Sequence, residues 1–149
     1  MPVDPALAGR VYPPAEPYQV GREKLREFAA AVGAAHPACF DPEAARAMGY
    51  PDIVAAPTFA AVVAQRAEAA YIADPSAGID FSRLVHAAES VQLDRPIVAG
   101  DLLSAALRVV SVQRRAGLAL VTTQVELHDA VHRPVARVTS TLAVREESE

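Results

Sequence analysis

Hydrophobic positions change their period once along this chain, from three-to-four in the first half to two in the second, which divides it into a helical front and a β-sheet back. Over residues 22–32, Leu25, Phe28, Ala29 and Val32 fall at helical spacing, and Gly33 follows where a left-handed C-terminal cap is expected. The spacing predicts an amphipathic helix of about three turns. Asp41-Pro42-Glu43 then supplies an N-cap, a proline at the first helical position and a first-turn acid. These open a short helix that runs through Met48 and ends at Gly49. A third helix is predicted over 57–72, with Pro57 in its first turn and Phe59, Val62, Val63 and Ala70 among its apolar residues. It is otherwise dominated by alanine, and small side chains let a backbone come close on several sides, as suits a helix wrapped by a sheet.

The first twenty residues carry Pro2, Pro5, Pro13, Pro14 and Pro17, a density that forbids a regular helix and leaves only extended pieces around 11–12 and 18–20. This predicts an arm, residues 1–17, leading into an edge strand. Residues 74–82 turn to Pro, Ser, Gly and Asp and read as a mobile connection. Four period-2 segments follow, at 84–94, 102–113, 118–129 and 135–145. In the third, Ala119, Val121, Thr123, Val125 and Leu127 face one way, while Thr122, Gln124, Glu126 and His128 face the other. Arg115-Ala116-Gly117 and the stretch 130–133 are short enough for hairpins, and Asp94-Arg95-Pro96 with Gly100-Asp101 frames a longer turn. The expectation is an α+β fold, a meander of long antiparallel strands curled around a central alanine-rich helix. One domain over 1–149 accounts for it, with a charged tail at 146–149 expected to fray.

A chain of 149 residues, 52% apolar, can build one sizeable core without staples. The net charge of −4, from 14 Lys and Arg against 18 Asp and Glu, comes with no basic cluster, which speaks against nucleic acid as a partner. The single cysteine, Cys39, excludes an internal disulfide, and the N-terminus lacks a basic start followed by a long apolar run. Apolar stretches are interrupted well before the roughly 18 residues a membrane span needs. A cytoplasmic protein is expected, with neither nucleic acid nor membrane among its partners. His86, His128 and His132 lie on or between strands without metal-ligand spacing, so no metal site is expected. Cys39 has no activating neighbour in sequence and reads as a buried, inert thiol. Asp101 reads as a turn residue, and Arg114 and Arg115 as hairpin arginines whose charge suits either solubility or the phosphate of an acyl carrier.

Between about Tyr18 and Val144 the residues resemble the MaoC-like hydratases and dehydratases. They are most similar to the non-catalytic A subunit of the heterodimeric (3R)-hydroxyacyl-ACP dehydratase of long-chain fatty acid synthesis. The likeness is carried by Glu23-Lys24-Leu25-Arg26-Glu27-Phe28-Ala29, Phe40-Asp41 with Ala44-Ala45 and Gly49-Tyr50, Val54-Ala55-Ala56-Pro57-Thr58-Phe59, and Arg95-Pro96-Ile97-Val98-Ala99-Gly100-Asp101. The resemblance implies a hot-dog protomer that pairs with a second one into a continuous sheet, binding acyl chains near the interface. Catalytic members carry a loop resembling Gly-Asp-x-Asn-Pro-x-His, whose Asp and His hold a water and move a proton. The reaction eliminates water across C2 and C3 of a thioester, so one group takes the α-proton while the departing hydroxyl is protonated. Here Gly33 and Pro37 keep the loop's frame, but Ala34 stands in place of the Asp, His36 in place of the Asn, and Cys39 in place of the His. The pattern also has a glycine at the start of the central helix, whose N–H donates to the thioester carbonyl. This chain has Pro57 there, which has no N–H to give.

The resemblance therefore implies a structural and substrate-binding subunit of a (3R)-3-hydroxyacyl-thioester dehydratase, a hydro-lyase whose catalytic Asp and His come from a MaoC-like partner. No catalytic residue is expected in this chain, and no cofactor. Pro57, Phe59, Val62 and Val63 are the expected substrate-binding wall, for an acyl-ACP or acyl-CoA. Two alternatives stand beside this. One is a self-sufficient homodimeric hydratase or thioesterase using His36 with Asp41, although Asp41 also reads as a helix N-cap. The other is a non-enzymatic acyl-binding or assembly protein. In each case the exposed strand edge of such a protomer calls for pairing, as a heterodimer or a homodimer.

Overall fold

The computed structural model describes residues 2–146; the last part of the charged tail expected to fray lies outside the described residues. After a 3-10 turn at Pro5–Leu7 come two short strands, β1 (Val11–Tyr12) and β2 (Tyr18–Gln19), then helices α1 (Arg22–Ala31), α2 (Pro42–Ala47) and α3 (Ala60–Ala73). The rest is β3 (Leu84–Leu93), β4 (Leu102–Arg115), β5 (Leu118–His128) and β6 (Pro134–Arg145). The sheet runs β1-β4-β5-β6-β3, all antiparallel, with β2 also on β4. It wraps α3 in the hot-dog arrangement.

The alternation in β5 sets the inside of the sheet: Ala119, Val121, Thr123, Val125 and Leu127 are fully buried, and the residues between them are half-exposed. On α3 the buried stripe is Ala60, Val63, Ala64, Glu68 and Tyr71, a helical spacing with one carboxylate in it. Phe59 is fully buried where α3 begins. Its ring meets Phe28 and Tyr18 edge-on, at centroid distances of 5.4 and 6.0 Å, which ties α1 and the arm to the central helix. No helix among the described residues is long and apolar enough to cross a membrane.

Three expectations need correction. The four long strands do not form a simple meander, because β3 pairs with β6 and not with β4. The connection from β3 crosses from one edge of the sheet toward the other and is held on the way. Arg95 clamps Asp101 at 2.8 and 3.0 Å, Asp101 also accepts from Val98 N–H, and Val98 bridges to Val54. The segment 74–82 is not a loose connection. Asp74 and Asp80 cap two 3-10 turns, Ala77 is buried, and Asp4 N–H donates to Ala77 O. Gly78 at φ +67° lies so close to the arm that a Cβ there would fall 2.2 Å from Pro2 O, so only glycine fits. Finally, the central helix is preceded by a separate 3-10 turn, Pro57–Phe59.

The two edges of the sheet differ. Beyond β4 the arm adds β1 and β2, whereas among the described residues β3 has no neighbour on its outer side. Six successive residues of β3, Val85 to Ser90, are exposed. Truncation of the buried ring that joins arm, α1 and α3 is the sharpest test of this packing. Phe59→Ala is expected to cost about 3–5 kcal/mol of unfolding free energy, measured by chemical denaturation; a loss under about 1 kcal/mol would contradict the packing described.

Candidate functional site

The loop after α1 is built by its caps. Gly33 N–H donates to Ala30 O, and Ala34 N–H to Ala29 O, with Gly33 at φ +73°; this is a Schellman ending, which fixes where the loop leaves the helix. Pro37–Cys39 then form a 3-10 turn with His36 as its N-cap, Ala38 N–H donating to His36 Nδ1 at 3.1 Å. Asp41 caps α2, accepting from Glu43 N–H at 2.9 Å. Arg26 Nε donates to Phe40 O at 2.9 Å, and Val54 N–H to Ala38 O at 2.9 Å. The second bond ties the loop to the strand-like stretch that leads into Pro57. Ala55 N–H to Ile97 O and Ala99 N–H to Ile53 O fasten that stretch to the β3–β4 connection.

The loop and the start of the central helix are thus brought together by backbone hydrogen bonds, but the side chains along this frame are short of proton-transfer groups. Ala34 is half-buried and has nothing to transfer. Cys39 is buried, and burial raises its thiol pKa, so the nucleophilic thiolate is disfavoured. His36 and Asp41 are exposed, and each spends an acceptor on its own cap. No hydrogen bond joins them to each other among the described residues. Asp52 is held well below the usual carboxylate range, at about 2, by the two-pronged hydrogen bond from Arg22 and by Ile53 N–H; it fastens α1 to the turn after α2.

Of the expected substrate wall, Pro57 lines a sizeable groove. Pro57 and Thr58 face Glu89, Val91 and Leu93 of β3 across a volume of about 410 Å³, within the range of small-molecule sites. Val63 lines a different space, about 50 Å³ beneath the arm, with Tyr12, Tyr18, Arg66 and Leu103. Phe59 is enclosed in the core and Val62 is half-buried. Arg114 is already engaged by Glu146 and Val3 O.

Sequence reasoning passed over Glu68 and did not pair it with His86. Glu68 is 1% exposed, yet its Oε1 accepts from Thr123 Oγ1 at 3.3 Å and its Oε2 lies 3.1 Å from His86 Nε2. A buried carboxylate is costly without such partners. Its signal was present in the sequence: four residues after Ala64 and three before Tyr71, it interrupts the buried stripe of α3 with a charge.

Residues 6–138 match the FAS1-like dehydratase domain region. This chain belongs to that family, a branch of the MaoC-like hot-dog dehydratases. A UPF0336 protein of Clavibacter michiganensis subsp. michiganensis is 50% identical over 145 residues, 97% of each chain. The structure is similar to one in the HadBC (3R-hydroxyacyl-ACP dehydratase) complex of Mycobacterium tuberculosis, at 31% identity and a TM-score of 0.84 over 92% of this chain and 96% of that one. A MaoC-like dehydratase is similar at 33% identity and a TM-score of 0.87 over 95% of this chain. This chain covers 43% of it.

The burial of Cys39 can be checked chemically. In the folded protein at pH 7.5 its thiol should react with a disulfide reagent about a hundredfold more slowly than in urea; equal rates would mean an open, activated thiol.

Proposed function

We propose that this chain is the structural and substrate-binding subunit of a (3R)-3-hydroxyacyl-thioester dehydratase in fatty acid synthesis, and that a MaoC-like partner supplies the catalytic Asp and His. The observation that carries this reading is the loop itself. By the sequence resemblance, Ala34 and Cys39 stand where a dehydratase loop carries its acid and base, and backbone hydrogen bonds fix the loop that holds them. At the start of the central helix, Pro57 has no N–H to offer a developing thioester oxyanion. Loss of one such donor costs roughly 10²–10³ in rate, so the shortfall at the carbonyl adds to the shortfall in proton transfer. Support for a partner comes from the bare β3 edge, and from the likeness to a chain of a dehydratase described as a complex.

In this reading the chain contributes surface. The groove between Pro57-Thr58 and the inner face of β3 lies along the edge a partner would cover, so an acyl chain lying there would be enclosed by both protomers. Chain-length preference then depends on Val91 and Leu93 opposite Pro57, with Phe59 acting from behind as a rigid support rather than as a contact.

The test is hydration of a trans-2-enoyl thioester by the chain alone, by a MaoC-like partner alone, and by the two together. Turnover is expected only when the partner is present, and is expected to rise when this chain is added. Within the pair, Asp41→Ala should cost about 0.5–2 kcal/mol of stability through the lost cap while leaving kcat/KM within about threefold. His36→Ala should likewise leave kcat/KM nearly unchanged. Full turnover by the isolated chain, abolished by either substitution, would discard the reading in favour of a self-sufficient enzyme built on His36 and Asp41.

A further inference from the structure

An irregularity in β3 places two titratable side chains on one face. In the pairing with β6, His86 lies opposite Leu142 and Glu89 opposite Ser140, with a register shift between His86 and Ala88. Leu142 and Ser140 are both buried, so the inner face of the sheet carries both His86 and Glu89. Three residues apart in a regular strand, they would point to opposite faces. Beneath them is the buried Glu68 of α3, in contact with His86. Burial, and then the charge of Glu68, raise the pKa of Glu89, against a smaller opposite influence of His86. The open edge of β3 thus has two carboxyl groups near the middle of its length, Glu89 on the strand and Glu68 beneath it, with Val91 and Leu93 further along the same face.

That placement discriminates between partners. Directly opposed residues of an antiparallel pair point to the same face, so a second copy of this strand can join only in registers that match inner face to inner face. Around a two-fold axis, the registers that keep most of the strand paired set Glu89 opposite its own copy, or diagonal to it at about 7–8 Å. Each Glu89 would also bring a Glu68 behind it. Like charges opposed across a strand pair are destabilising, and covering the edge removes the water that screens them. An arginine or lysine at the facing position reverses the sign.

We propose that the β3 edge takes the edge strand of a different protomer that presents a lysine or arginine opposite Glu89, and that Glu89 over Glu68 disfavours pairing of this chain with itself. This rests on the reading of the chain as one half of a mixed pair, and specifies the chemistry of the other half. Glu68 is fixed beneath the edge by its contact with His86 and the hydrogen bond it accepts from Thr123. Unlike-charge pairing combined with like-charge exclusion is a general route to specificity.

The experiment uses only this chain and its variants, with mass in solution at pH 7.5 as the readout, by sedimentation equilibrium. Glu89→Gln is expected to tighten self-association about tenfold over the unaltered chain. An equimolar mixture of the unaltered chain with Glu89→Lys should form a mixed pair more tightly than either forms with itself. Ser90→Lys, one residue away on the outer face, should not reproduce the mixed pairing. Self-association unchanged by Glu89→Gln, or no preference for the mixed pair, would overturn the proposal. Dehydratase activity does not enter this readout, so failure of the activity reading and failure of the edge selection are separable.

Discussion

The central helix α3 offers few large side chains of its own, so the sheet must supply the apolar surface that holds it. Ala60, Val63 and Ala64 leave room for β4, β5 and β6 to close around the helix, and the buried face of β5 is continuous along its length. A curled sheet of this size has two edges, and the described residues close only one of them. The proline-rich arm cannot become a helix, lies along β4 as two short strands, and packs Tyr12 against Tyr71 with ring centroids 5.5 Å apart. Among the described residues nothing comparable follows β3 in the sheet order. The groove beside Pro57, the exposed Val85 and Phe81, and the charge at Glu89 all lie at or near that open side.

The loop between α1 and α2 keeps its shape for reasons that have nothing to do with proton transfer. A Schellman ending, a 3-10 turn capped by His36, a helix capped by Asp41 and the arginine bond to Phe40 O determine its path. None of these contacts needs a carboxylate in place of Ala34 or an imidazole in place of Cys39. In the proposed reading the frame of the site outlasts its chemistry, and in an assembly of two such protomers one frame serves as wall while the other reacts.

Much of the fold was legible in the sequence because period and punctuation agreed. The helices at α1 and α2, the three strands after the crossover and the inward face of β5 follow directly from spacing, caps and turns. What could not be read was non-local. Whether β3 joins β4 or β6 depends on how the connection through Arg95 and Asp101 is clamped, and local periodicity does not encode that. The connection after α3 looked loose by composition, but its Asp residues cap turns and its glycine admits the arm. At the candidate site, the caps at His36 and Asp41 lay within reach of sequence reasoning, whereas the division of Phe59, Val62 and Val63 between core and cavity did not. Helical spacing names a face and not what covers it. Glu68 could have been found as a charge on the buried stripe; the bulge that sets His86 and Glu89 on one face could not.

Completion of the open edge by another protomer is the claim on which the functional account turns, and backbone amide hydrogen exchange tests it most directly. In the isolated chain, the amides of β3 that point away from β6 should exchange rapidly, and in the active mixture with a MaoC-like partner they should slow by about a hundredfold. Exchange across 84–93 that stays unchanged while dehydration appears would place the partner on another face and contradict the account.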